Sequence, residues 1–112
     1  MSEFLYLYRG GDRQPTPEGM QQQMQRWMAW MKELSDKGHI KNPGHPLELT
    51  GKVVSGKAKT VTDGPFAEKD MVGGYTLVEA VDLAQAVELS RGCPILAMNG
   101  HVEVRPIMKM NM

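Results

Sequence analysis

The stretch Glu3-Phe4-Leu5-Tyr6-Leu7-Tyr8-Arg9 sets Phe4, Tyr6 and Tyr8 on one side of an extended chain and Leu5 and Leu7 on the other. Successive side chains of a strand point to opposite faces, so a strand apolar on both sides needs cover on both. The segment predicts a central strand, ended by Gly10-Gly11-Asp12.

Beyond it, Thr16-Pro17-Glu18 opens a helix with a hydroxyl N-cap, proline at the first helical position and an acid in the first turn. Met20, Met24, Trp27, Met28, Met31 and Leu34 then recur at helical spacing as one apolar stripe. Glu33 and Lys37 form a favourable i,i+4 pair, and Gly38 ends the helix. Trp30 falls off the stripe, so its ring is either a chance exposure or part of an interface, and the enrichment of tryptophan at interfaces favours the second. Glycine and proline breaks make residues 38–46 an ordered loop, and Leu49 to Val54 with Lys57 to Thr62 form a hairpin around Ser55-Gly56.

Asp63-Gly64-Pro65-Phe66 reads as a turn, and Gly73-Gly74 leads into a strand from Tyr75 to Ala80. Asp82 caps a second helix with Gln85 at capping-box spacing, and Leu83, Ala86, Val87 and Ser90 give that helix its inward face. Gly92 and Pro94 end it; Asn99-Gly100 turns into a last strand from His101 to Pro106. The order β, α, β-hairpin, β, α, β predicts an α+β fold of the ferredoxin-like split β-α-β kind, an antiparallel sheet with two helices on one face. The helices cover one face only, so the apolar other face of the first strand predicts a homodimer about a two-fold axis.

The chain has 112 residues, suited to a single domain over residues 1–112. Thirteen basic residues balance thirteen acidic ones, so electrostatic attraction to nucleic acid or an anionic membrane has no visible source. The first residues carry no basic, apolar leader and no apolar run approaches a membrane span, so a cytoplasmic location is expected. Cys93 is the only cysteine, which precludes an internal disulfide, and it reads as a small apolar residue. His39, His45 and His101 are too scattered for a zinc site, so no metal and no cofactor is expected.

Asp63 and His45 are the candidate acid–base pair. Asp63 serves as general base or histidine orienter if its turn lines a cleft; otherwise its carboxylate caps amides of its own turn. His45 lies in the loop ahead of the hairpin, either turned towards Asp63 or simply solvated. Arg9 and Arg105 are candidate substrate anchors able to grip an oxygen with forked hydrogen bonds, or else members of a surface or inter-subunit ion pair. Phe66 and Tyr75 complete the candidate substrate contacts. His39 follows a helix C-terminus and reads as a cap, and His101 as a surface residue. Gly73-Gly74 precedes a strand rather than a helix and is no phosphate loop.

Asp63-Gly64-Pro65-Phe66-Ala67-Glu68, Gly73-Gly74-Tyr75, Gly92-Cys93-Pro94 and Val102-Glu103-Val104-Arg105-Pro106 together resemble the YCII-related family, in its DGPF-motif branch. The resemblance runs from the first strand to Pro106. It implies a dimeric α+β barrel: two ferredoxin-like sheets packed face to face, with a cleft at each protomer's open end. It implies no settled reaction, although some members of the wider superfamily are enzymes acting on small ring compounds, including isomerases and a dehydrochlorinase. Many members of the branch have one more residue than this chain between Glu68 and Gly73. The His–Asp pair of the wider family's catalytic proposal has no counterpart, since Asp12 is present but no histidine precedes His39. The resulting expectation is proton transfer on a small ring or carbonyl acid, of isomerase or lyase type, in a cleft shaped by two copies. The alternative is a dimeric module that binds a small ligand or a protein without catalysis.

Overall fold

The computed structural model describes residues 1–64 and 71–110 of the chain. Its elements are β1 (Ser2–Gly10), α1 (Pro17–Asp36), β2 (Ile40–Asn42), β3 (Gly51–Ser55), β4 (Thr60–Gly64), β5 (Val72–Ala80), α2 (Leu83–Ser90), a 3-10 helix (Pro94–Met98) and β6 (Gly100–Pro106). A four-stranded sheet runs β2-β5-β1-β6, with antiparallel pairing throughout. Both long helices lie on one face of it. The fold is α+β and ferredoxin-like.

β1 sits at the centre of this sheet, between β5 and β6. Phe4, Tyr6 and Tyr8 point under the helices and are buried; Leu5 and Leu7 occupy the opposite face, half-buried. The register puts Phe4 opposite Val78, Tyr6 opposite Thr76 and Tyr8 opposite Gly74, so the buried row of β1 meets the buried row of β5. Leu7 faces Tyr75 and Leu5 faces Leu77 on the uncovered side.

The structure departs from the sequence expectation in four places. The loop expected over residues 38–46 contains β2, which takes the sheet edge beside β5. The hairpin forms, but over Gly51–Ser55 and Thr60–Gly64, and as a separate two-stranded sheet rather than part of the main one. Asp63 and Gly64 belong to β4 rather than to a turn, while Pro65 and Phe66 lie outside the described residues. Polar alternation in residues 51–64 is equally compatible with either sheet; hydrogen-bonding partners decide which one forms.

The fourth departure concerns both helices. In α1 the buried residues are Trp30 and Leu34, with Trp27 and Met31 packed beside them, whereas Met20, Met24 and Met28 are exposed. The inward stripe is rotated towards Trp30, which is core rather than interface. Its ring stacks on Tyr6 at a centroid distance of 6.1 Å and its indole donates to the Leu89 carbonyl at 3.3 Å. Methionine and tryptophan satisfy the same helical spacing, and the larger, stiffer ring takes the core position. In α2, Ala86 and Ser90 are buried and Leu89 packs on the core, while Leu83 and Val87 stay exposed.

The capping expectations hold. Thr16 Oγ1 accepts from the Gly19 amide at 3.0 Å, and Asp82 Oδ1 accepts from the Gln85 amide at 2.9 Å. Gly38 takes a left-handed φ of 79° just after α1, a conformation that costs glycine least. His39 then lies where its Nδ1 donates to the Glu79 carbonyl at 2.8 Å, a structural tie to β5. Cys93 is buried in the core, as a small apolar residue should be.

Candidate functional site

The segment after β2 continues along the edge of β5. Thr76 Oγ1 donates to the Pro43 carbonyl at 3.0 Å, Pro46 bridges to Gly74, and the Leu47 amide donates to the Gly73 carbonyl at 2.8 Å. Gly44 sits between these anchors with a φ of 71°, and a Cβ there would collide with the Tyr75 carbonyl. The loop is thus pressed onto β5, and His45 is carried to the end of the sheet.

A pocket of about 460 Å³ opens there, within the size range of small-molecule sites. Tyr8, Gly74 and Thr76 form its floor from the sheet. Met24, Trp27 and Met31 wall it from α1; His45 and Tyr75 stand at the loop side, and Ile95 closes the end. Trp27 meets the Tyr8 ring edge-on at 4.8 Å, and the His45 and Tyr75 rings lie 6.2 Å apart. The Tyr8 hydroxyl donates to Thr76 Oγ1 at 2.7 Å, so that Tyr8, Thr76 and the Pro43 carbonyl form one hydrogen-bonded chain beneath the pocket. Burial raises the Tyr8 phenol well above the ordinary range, against the opposing pull of the Thr76 hydrogen bond. It is a neutral hydroxyl at any physiological pH. Among the described lining residues there is no Lys, Arg, Asp or Glu.

The structure sorts the sequence candidates into three places. His45 and Tyr75 come together at the pocket. Arg9 and Arg105 come together elsewhere, on the uncovered sheet face, where Arg9 Nε meets Glu103 Oε1 at 2.7 Å and Arg105 reaches Glu103 Oε2 at 3.3 Å. The Arg9 hydrogen bond, more than any other influence, holds the Glu103 carboxyl below its usual range. Asp63 lies on the hairpin in an ion pair with Lys52, its side chain almost wholly exposed, and it does not line the pocket. Phe66 lies outside the described residues. No three His, Cys, Asp or Glu side chains among the described residues gather as a metal site requires.

Sequence reasoning missed Tyr8, Thr76 and Trp27 as pocket residues. Signals were present: a tyrosine and a threonine on the buried side of neighbouring strands need hydrogen-bond partners, and Gly44 and Gly74 mark close backbone approach.

A family model described as the YCII-related domain matches residues 4–111. The chain belongs to the YCII-related family. No curated protein matches the chain. A solved structure of 5-chloro-2-hydroxyhydroquinone dehydrochlorinase from Burkholderia phenoliruptrix AC1100, in complex with 2,5-dihydroxybenzoquinone, is similar at 20% identity. The match covers 97% of this chain and 95% of that one with a TM-score of 0.46, a level that carries no inference about chemistry. No helix among the described residues of this YCII-related chain is long and apolar enough to cross a membrane.

Proposed function

We propose that this chain is a small-molecule-processing protein that takes one uncharged, single-ring hydroxyl or carbonyl compound into the pocket between α1 and the 43–46 loop. The lining carries the reading: aromatic and thioether walls, a hydroxyl floor, an imidazole at the rim and no described charged side chain. An anionic substrate would enter this apolar site without a counter-charge, which is costly. The acid expected from Arg9 and Arg105 is therefore set aside in favour of a neutral ring. Both arginines engage Glu103, away from the pocket.

His45 is the acid–base group in this reading. Neutral imidazole takes a proton from a ring carbon beside a carbonyl, the C–H electron pair moves into the ring and the carbonyl oxygen becomes an enolate. The imidazolium returns a proton to that oxygen or to another ring carbon, which completes an isomerisation. Tyr8 retains acceptor lone pairs for a substrate hydroxyl, its own proton being donated to Thr76. Asp63, engaged by Lys52, fits a role in the hairpin better than one as partner of His45.

A second copy is part of the same proposal. Leu5, Leu7, Tyr75 and Leu77 form the uncovered sheet face, and packing on an identical face shields all four. The Arg9–Glu103–Arg105 cluster then lies at the sheet-to-sheet contact.

Resorcinol tests the reading, since its ring C–H bonds exchange through a keto tautomer. Addition of resorcinol should quench Trp27 fluorescence saturably, benzoate should bind more weakly, and ring deuteration in D2O should fall about 100-fold in His45→Gln. Binding without accelerated exchange supports the non-catalytic ligand-binding module instead, which the absence of an acid beside His45 among the described contacts favours. No response of Trp27 to any neutral phenol removes both.

A further inference from the structure

β3 and β4 pair only with each other, through five facing residue pairs from Gly51–Gly64 to Ser55–Thr60. Among the described residues, every hydrogen bond of these two strands stays within the hairpin, and neither packs extensively on a helix or on the main sheet. An isolated two-stranded hairpin is marginal in water. This one also shows apolar surface. Val54 and Val61 face each other across the strands and are 64% and 61% exposed, on the same side as the Lys52–Asp63 ion pair.

The chain as a whole exposes more surface than its mass calls for. Its accessible area is 8205 Å². A compact monomer of its mass exposes roughly 6,200 Å². The radius of gyration is 15.7 Å. A compact domain of this length would have about 13 Å. The surplus, about 2,000 Å² per chain, is what a protomer of an obligate homodimer gives up. Two copies carry no net charge to repel each other.

We propose that the β3–β4 hairpin is an arm that lays its Val54–Val61 face on a second copy of this chain. The proposal rests on the two-copy reading above and adds a contact that the sheet face does not supply. By symmetry each copy gives one arm and receives one. The Lys52–Asp63 pair borders the valines and lets the arm's contact end in a polar rim, as interfaces do.

The test uses the full chain and two variants whose folding is verified by the near-ultraviolet circular dichroism of Trp27 and Trp30. In Val54→Thr/Val61→Thr, threonine keeps the strand propensity and removes apolar surface. Sedimentation should show the dimer dissociation constant raised at least ten-fold. Backbone amides of residues 51–55 and 60–64 in the parent chain should exchange more slowly with deuterium as protein concentration rises. An unchanged dissociation constant, or arm amides that exchange at one rate at every concentration, overturns the arm. Leu7→Lys keeps the two ideas apart: a dimer weakened by Leu7→Lys and untouched by the valine variant leaves the sheet-face reading standing without the arm. A parent chain that stays monomeric at all concentrations overturns both.

Discussion

The Tyr8 hydroxyl donates to Thr76 Oγ1 at 2.7 Å, tying the C-terminal end of β1 to β5 under the pocket floor. Thr76 in turn donates to the Pro43 carbonyl, so one threonine joins the central strand, its neighbour and the loop that carries His45. Thr76→Val removes the middle of the chain and leaves a buried phenol without its acceptor. A loss of about 1–3 kcal/mol in unfolding free energy is expected. Tyr8→Phe, which removes only the outer donor, should cost about 0.5–1.5 kcal/mol. Urea titration of both variants measures the difference, and equal losses would argue against a linked chain.

Trp30 and Met28 exchange the roles that helical spacing alone assigns them. Trp30→Ala empties a site stacked on Tyr6 and should cost about 3–5 kcal/mol. Met28→Ala, on the exposed side, should stay within about 0.5 kcal/mol of the parent. Thermal melts at a protein concentration low enough to hold the chain monomeric give both values.

Gly44→Ala tests the loop. The added Cβ meets the Tyr75 carbonyl and the left-handed φ disfavours any L side chain, so the loop must lift from β5. The expected result is a chain that still folds, with large amide shifts at residues 43–47 and 73–76 and no quenching of Trp27 by resorcinol. Unaltered amides would show that the loop is not pressed on the strand.

Alkaline pH should unfold the protein in a defined window. Burial pushes the Cys93 thiol up to about 12, partly offset by a hydrogen bond to the backbone at Ile95, and burial likewise raises the phenols of Tyr6 and Tyr8. These groups hold their protons more tightly folded than unfolded. Their contribution is fully present below the unfolded values, near ~8.5 for the thiol and ~10 for the phenols, and is lost as pH rises through the folded ones. The unfolding free energy from urea titration should therefore start to fall above pH ~8.5, by about 1.4 kcal/mol per pH unit for each group titrating. Cys93→Ala should abolish the slope between ~8.5 and ~10 and keep the steeper fall beyond it.

What could be read from the sequence is what short-range patterning controls. Alternation in Phe4 to Tyr8 marked the central strand, because a period of two admits no other side-chain arrangement. Thr16 and Asp82 marked the helix starts, because an N-cap bonds amides two or three residues away. The order of these elements then restricted the fold to the ferredoxin-like class.

Three questions lay beyond that range. Which face of α1 turns inward depended on a ring fitting against Tyr6, a partner 24 positions away in the chain. Whether residues 51–64 or residues 40–42 complete the sheet depended on which segment could reach the edge of β5. His45 acquired Tyr8, Trp27 and Tyr75 as pocket neighbours, in place of Asp63, only once the loop was pinned to that edge. Local propensities and caps act over a few residues, whereas a pocket joins segments whose separation along the chain leaves no periodic mark; only the packed chain could bring them together.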